Sequence, residues 1–200
     1  NSELQIYDAK DNTLWMEFVE GTANYIEDGR SVSSAYGLNG KVYIGLNNSV
    51  FAGLVTVDFI KDDASRIIGQ IASGNFDTDG ISSRNGTVVY KDRHNFLPSA
   101  YVNDVSVSVI VGKTYVAVST DSGASVFNED DDIVYNYDAN SGDDSNDVWL
   151  TSGGELYYST ETAQTLNVFY DVNFDTATST SADLVYDESG VNAGGTGASL

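Results

Sequence analysis

Apolar and polar residues alternate strictly at Val105-Ser106-Val107-Ser108-Val109, which sends the valines to one face of an extended chain and the serines to the other. Val42-Tyr43-Ile44, Leu54-Val55-Thr56-Val57-Asp58-Phe59-Ile60, Thr114-Tyr115-Val116-Ala117-Val118 and Thr165-Leu166-Asn167-Val168-Phe169-Tyr170 carry the β-branched and aromatic content of strands. Between such runs lie Asn39-Gly40, Ser122-Gly123, Ser141-Gly142 and Gly153-Gly154, the punctuation of tight turns. No stretch offers an apolar stripe of helical period. Ala64-Ser65-Arg66-Ile67-Ile68-Gly69-Gln70-Ile71-Ala72 comes nearest, but it is short and holds a glycine, so it reads as either a helical turn or a strand. The pattern predicts an all-β fold.

The chain also echoes itself. Asn103-Asp104-Val105 recurs as Asn146-Asp147-Val148, 43 positions later. Each is followed by a glycine, a charged residue and a tyrosine within a strand: Gly112-Lys113-Thr114-Tyr115, then Gly154-Glu155-Leu156-Tyr157-Tyr158. A third copy lies upstream in Gly40-Lys41-Val42-Tyr43-Ile44, preceded by Ser31-Val32-Ser33-Ser34, and it fits if residues are inserted before the next unit. Leu4 to Asp8 with Leu14 to Phe18 resembles Ser125 to Glu129 with Ile133 to Tyr137, while Leu54 to Lys61 and Leu166 to Asp171 fill the corresponding slot. About four short strands in a period of roughly 40–50 residues is the mark of a propeller blade. One small sheet cannot bury both its faces, whereas blades stacked about an axis can. We therefore expect a β-propeller-like array of four-stranded antiparallel blades, three to four in number. Its parts are 1–20, 31–100 with an insertion, 104–138 and 146–187, in one domain spanning 1–200. A β-sandwich is the alternative, since its strands also recur at short spacing.

Charge changes the picture of partners. Nine Lys and Arg against 30 Asp and Glu give a net charge of −21, which repels nucleic-acid phosphates and anionic lipid. Zero cysteines exclude disulfides, thiolate nucleophiles and cysteine-held metals, and one histidine excludes a two-histidine site. No run approaches the ~18 apolar residues of a membrane-spanning helix. Thirteen tyrosines and eight phenylalanines, with many Val and Ile, argue for a folded chain rather than a disordered acidic one. The chain starts at Asn1 already strand-like and ends Gly194-Gly195-Thr196-Gly197-Ala198-Ser199-Leu200 with no closing element, so a piece of something longer, such as a larger propeller, is expected.

Two acidic loops have the look of calcium sites. Asp138, Asn140, Asp143 and Asp147 place oxygen ligands around Gly142, and Asn75, Asp77 and Asp79 match the opening positions of an EF-hand loop before Gly80. The second lacks the closing bidentate Glu, because Gly86 stands at its twelfth position. The simpler reading of both is a solvated turn. Glu129-Asp130-Asp131-Asp132 reads as a hairpin tip whose charges keep a sheet edge soluble. Thirty carboxylates make some pair at glycosidase spacing inevitable, so abundance is no evidence of hydrolysis. His94 stands in the basic cluster Lys91-Asp92-Arg93-His94, and no Gly-x-Ser-x-Gly elbow or phosphate-cradling loop accompanies it. We identify no catalytic residues and no cofactor; calcium at these loops is the one candidate ion. Trp15, Trp149 and the Tyr157-Tyr158 pair are aromatic candidates for stacking on sugars, although most such rings are expected to pack between blades.

Several segments together resemble a known family. They are Leu14-Trp15-Met16-Glu17-Phe18, Leu38-Asn39-Gly40-Lys41-Val42-Tyr43-Ile44-Gly45, Val57-Asp58-Phe59-Ile60-Lys61-Asp62, Val102-Asn103-Asp104-Val105 and Val116-Ala117-Val118-Ser119-Thr120-Asp121-Ser122-Gly123. The family is that of large virion structural, tail-fibre-like proteins of marine tailed bacteriophages and ocean metagenomes, and the likeness runs over roughly residues 4–170. It implies a propeller-like region within a longer polypeptide. The short connection at Val111-Gly112-Lys113 departs from it, and the family offers no catalytic residues to carry over. The resulting expectation is a non-enzymatic virion structural or host-surface-binding module, tail-associated, located in the virion or outside the cell. Its partners would be other virion proteins or a host cell-surface glycan or protein, with self-association through exposed blade faces. A secreted calcium-dependent carbohydrate-binding propeller is the second reading, and a polysaccharide hydrolase or lyase using two rim carboxylates the third.

Overall fold

The computed structural model describes residues 3–21, 26, 29–48, 52–67, 81, 89–90, 97–130, 134–137, 144–170, 178–179, 182–187 and 190–193. A hairpin of β1 (Glu3–Tyr7) and β2 (Leu14–Val19) comes first. The first full sheet is a meander of β3 (Ser31–Leu38), β4 (Lys41–Asn47), β5 (Gly53–Asp58) and β6 (Asp63–Ile67), with the short β7 (Val89–Tyr90) parallel to β6. The second is β8 (Val102–Ile110), β9 (Lys113–Thr120), β10 (Gly123–Asn128) and β11 (Tyr135–Tyr137). The third begins with β12 (Ser145–Leu150), β13 (Leu156–Thr160) and β14 (Thr165–Phe169). The chain then adds β15 (Thr178–Ser179) in parallel to β11, and returns as β16 (Leu184–Asp187) and β17 (Gly190–Ala193) to finish the third sheet. The architecture is all-β and blade-like, with each blade opening on a sequential antiparallel meander and a fifth short strand extending it. The ambiguous run at Ala64 resolves as strand through Ile67; residues 68–72 lie outside the described residues.

Period-two alternation explains why these sheets stack. In β4, Tyr43 points into the core shared with the second sheet, while Ile44 and Leu46 point the other way onto Met16 and Phe18 of the first hairpin. In the second sheet Val116, Val118 and Phe127 meet Tyr43 and Leu54, whereas Ala117, Ala124 and Val126 meet Leu156, Tyr158 and Phe169 of the third. A strand apolar on both faces is stable only between two layers, and the middle sheet has both. Val105 and Val107 are buried on one side of β8, as the alternation predicts; Val109, near the end of the strand, is 39% exposed.

The innermost strands β3, β8 and β12 run side by side. Each carries a β-bulge at the same place, between Val32 and Ser34, between Val102 and Asp104, and between Ser145 and Val148. A bulge re-aims the side chains next to it, and here those side chains tie one blade to the next. Ser33 Oγ donates to the Val102 carbonyl at 2.6 Å, and Asn103 Nδ2 donates to the Ser145 carbonyl at 2.9 Å, the same bond one interface further on. Asp104 accepts from Ser34 Oγ at 2.7 Å with one oxygen and from the Val148 N–H at 3.1 Å with the other, so it joins all three blades. Ser119 Oγ donates to the Asn146 carbonyl at 3.0 Å, and Ser106 Oγ accepts from the Leu150 N–H at 3.0 Å.

Candidate functional site

Two constellations stand out at the first blade. One is a tie across the blade interface. The Asn39-Gly40 turn, with φ of 51° and 73°, brings Lys41 at the start of β4 opposite Asp58 at the end of β5. Asp58 Oδ1 accepts the N–H groups of Ile60 and Lys61, each at 3.0 Å, which caps the β5–β6 turn. Its other oxygen faces Lys41 Nζ at 3.3 Å. Lys41 Nζ also donates to Glu129 Oε2 at 2.7 Å, and the Tyr43 hydroxyl donates to Glu129 Oε1 at 2.7 Å. Glu129 follows β10 of the neighbouring blade, so both of its oxygens are taken by the first. This corrects the reading of Glu129 as part of a merely solvated hairpin tip: the partly buried Lys41 and the buried Tyr43 claim it across the interface, while Asp131 and Asp132 lie outside the described residues.

Electrostatics assign these groups a holding role. Burial would lower the Lys41 pKa, but the hydrogen bond and charge of Glu129, with Asp58 behind them, hold it above its ordinary value. Burial, then the Glu129 hydrogen bond and charge, push the Tyr43 hydroxyl well up. Burial raises Asp58, and the Lys61 N–H, the Lys41 charge and the Ile60 N–H outweigh it and hold the carboxyl below its usual range. A lysine kept protonated and a tyrosine kept neutral are donors, neither nucleophile nor base at neutral pH. Asp63, Lys61 and Asp130 line the open cleft beside them.

The second constellation is the outward face of the first hairpin. Leu4, Ile6, Met16 and Phe18 pack inward, which leaves Gln5, Trp15 and Glu17 outward. Trp15 is 52% exposed and its ring leans on Phe59, with centroids 5.4 Å apart at 49°. Gln5 Nε2 donates to Glu17 Oε1 at 2.7 Å, and the Tyr7 hydroxyl donates to Gln5 Oε1 at 2.6 Å. A steadied indole beside an amide and a carboxylate is chemistry that stacks on an apolar sugar face and reads its hydroxyls.

The calcium candidates Asp138, Asn140 and Asp143, the second set Asn75, Asp77 and Asp79, and His94 all lie outside the described residues. Asp147 is described: it is exposed on β12, where its carboxylate accepts from Ser159 Oγ at 3.3 Å. Among the described residues no three His, Asp or Glu side chains come together as a metal site. Tyr157 and Tyr158 take opposite faces of β13; Tyr158 is 1% exposed in the core and Tyr157 half-buried on the far face. Trp149 stands 66% exposed on that far face. Sequence reasoning missed the Lys41–Glu129 tie, although Lys41 sits in the repeated Gly-charged-x-Tyr element that marked the blades.

The fold and these surfaces define a blade-array protein. No protein-family model matches the chain, and no curated protein sequence does. Among solved structures the chain is similar to Kluyveromyces lactis Hsv2, at 15% identity over 87% of this chain and a TM-score of 0.37, a likeness that carries no argument. The chain spans 57% of the length of that protein.

Proposed function

We propose that the chain is a non-enzymatic binding module that presents the Trp15 face of its first hairpin to a host cell-surface glycan. As the sequence resemblance suggests, its setting is the tail of a marine phage virion. The observation that carries the binding reading is the indole of Trp15, more than half exposed yet braced against Phe59 beside the Gln5–Glu17 pair. An aromatic ring held rigid before binding loses little entropy on binding. A glycan array probed with the whole chain, with and without chelator, tests the reading. Binding that survives chelator and falls about 10-fold or more in Trp15→Ala supports it, since stacking anchors of this kind dominate such interfaces. Binding abolished by chelator favours the calcium-dependent reading, and no binding in either condition removes both.

A further inference from the structure

We propose that the cleft between the first two blades binds a small primary amine through its ammonium group. The cleft lies on the opposite side of the first sheet from the hairpin that carries Trp15, and the proposal does not rest on that platform. Register sets three rows across the face that meets the second blade: Lys41, Asp58 and Asp63; then Tyr43, Thr56 and Ser65; then Gly45, Leu54 and Ile67. Apolar contact closes the third row, since Leu54 and Ile67 pack with Phe127. Glu129 closes the β4 end of the other two by taking Lys41 and Tyr43. Between β5 and β6 those rows stay open, and a cavity of about 60 Å³ remains there, lined by Thr56, Asp63 and Ser65 with Lys61, Phe127 and Asp130. Ser65 is only 9% exposed, yet neither its hydroxyl nor that of Thr56 has a hydrogen-bond partner among the described residues. Asp63 accepts the Ala64 N–H with one oxygen at 2.7 Å, which leaves the other for the cleft.

Charge and donor count select the ligand. Four carboxylates and two lysines line the cleft, and Asp58 and Glu129 already neutralise Lys41, so Asp63 and Asp130 face Lys61 alone. Such a wall repels anions and draws in cations. Two hydroxyl oxygens and one carboxylate oxygen, on side chains whose Cβ atoms the register holds about 5–8 Å apart, make three acceptors for the three N–H donors of a primary ammonium. A buried hydroxyl without a partner costs free energy that such a donor recovers. Among the described residues no three carboxylates or histidines converge as a metal site, which disfavours a divalent cation. A cavity of about 60 Å³ holds about four water-sized groups. That takes an ammonium head and its first methylenes, with the rest of the ligand leaving through the open mouth. Lys61 stands exposed at that mouth as a competing cation.

Amide proton–nitrogen correlation NMR of the whole chain, titrated with n-propylammonium chloride at constant ionic strength, tests the site. Saturable shifts should appear at the amides of Thr56, Asp63 and Ser65, with a Kd of about 1–10 mM, the range open to a ligand of so few atoms. Trp15 should not move. Asp63→Asn, which keeps the oxygen that holds Ala64, should weaken binding by about 10-fold, and Ser65→Ala by about 5-fold. Lys61→Gln should tighten it by about 2-fold, the scale of an exposed charge. Tetramethylammonium chloride carries the charge without N–H donors and should leave these amides unmoved. Equal shifts from it, or from NaCl, reduce the effect to counterion binding and overturn the inference. So do shifts of the same amides by glucose, which make the cleft a hydroxyl site, or no saturable shift from propylammonium up to about 50 mM. Glucosamine separates the sources of the ammonium: shifts at these amides extend the site to amino sugars, and their absence confines it to alkylamines. If Ser65→Ala loses the native spectrum, Thr56→Val replaces it with the same readout.

Discussion

Replacing Glu129 by Gln puts the blade interface to a test in which two accounts differ in sign. A solvated acidic tip on a chain of net charge −21 should gain stability when one carboxylate is neutralised, because like-charge repulsion falls. The structure demands the reverse. Both carboxylate oxygens are engaged, by Lys41 Nζ and by the Tyr43 hydroxyl, each at 2.7 Å. A glutamine can accept from only one of them, and its amide then turns N–H groups toward the other donor. The Lys41 and Glu129 side chains are 17% and 19% exposed, so water recovers little of the loss. One charge-assisted hydrogen bond is worth about 1.5–3 kcal/mol, and Asp58 remains 3.3 Å from Lys41 to soften the stranding of its charge. The expected loss is therefore about 2–3 kcal/mol, or a fall in midpoint temperature of roughly 4–12 °C for a chain of this size. Urea unfolding followed by tryptophan fluorescence and by circular dichroism measures it, with coincident transitions as the check on two-state behaviour. A Lys41→Met/Glu129→Gln double-mutant cycle should give a coupling of at least about 1 kcal/mol. A loss below about 0.5 kcal/mol, the range of an exposed pair, or any gain, refutes the tie.

Gly45 supplies the steric counterpart. A Cβ there would stand 2.8 Å from Val102 Cγ1 and 3.2 Å from Val105 Cγ2, stiff groups of the next blade, so Gly45→Ala should cost about 1–3 kcal/mol in urea unfolding. Gly37→Ala, whose Cβ would meet nothing nearer than 4.0 Å, should change stability by less than about 0.5 kcal/mol. At the β8–β9 turn Val111 holds φ of 47° while 98% exposed, a conformation that strains a β-branched residue and gains no burial in return. Val111→Asn should raise stability by about 1 kcal/mol, seen as a higher urea midpoint at unchanged slope. The pKa shifts of Lys41 and Tyr43 set an alkaline limit. Both are raised, so their stabilisation is complete below the ordinary values of 10.5 and 10.0 and is lost as pH climbs above them, when the unfolded chain releases its protons first. Unfolding free energy measured from about pH 8 to about pH 11 should fall, and less steeply in Glu129→Gln; equal slopes would detach the loss from this cluster. Asp58 acts in the other direction, its contribution present above 3.8 and lost in acid.

The blade pattern was legible because it is local. Alternation decides which face each side chain takes, and the echo from Asn103-Asp104 to Asn146-Asp147 marks two inner strands at the same register. The first blade shows why a spacing count blurs. Measured at the turn glycines Gly40 and Gly112 the offset is 72, yet the bulges at Val32 and Val102 align at 70, because each arm of the β8–β9 hairpin is longer by two residues. Burial of Tyr43, Tyr158 and Phe127 agrees with rings packing between blades, whereas Trp15 and Trp149 both stand more than half exposed.

The candidate site was less legible, and the reason is distance along the chain. Glu129 and Lys41 are 88 residues apart, and nothing within Glu129-Asp130-Asp131-Asp132 distinguishes the carboxylate that meets a lysine from those beside it. In a stacked array local pattern governs each sheet, while the contacts between sheets depend on residues that bulges and turn lengths bring to matching heights. The same bulge therefore produces different chemistry at each copy. Ser33 and Asn103 donate to a neighbouring carbonyl, and Asp104 takes a backbone N–H that a serine oxygen would hold less tightly. Substitution at these few inner-strand positions can alter how blades join without disturbing the alternation that makes them blades. That is why fold was read from period, and why function must be read from the exposed positions the period leaves over.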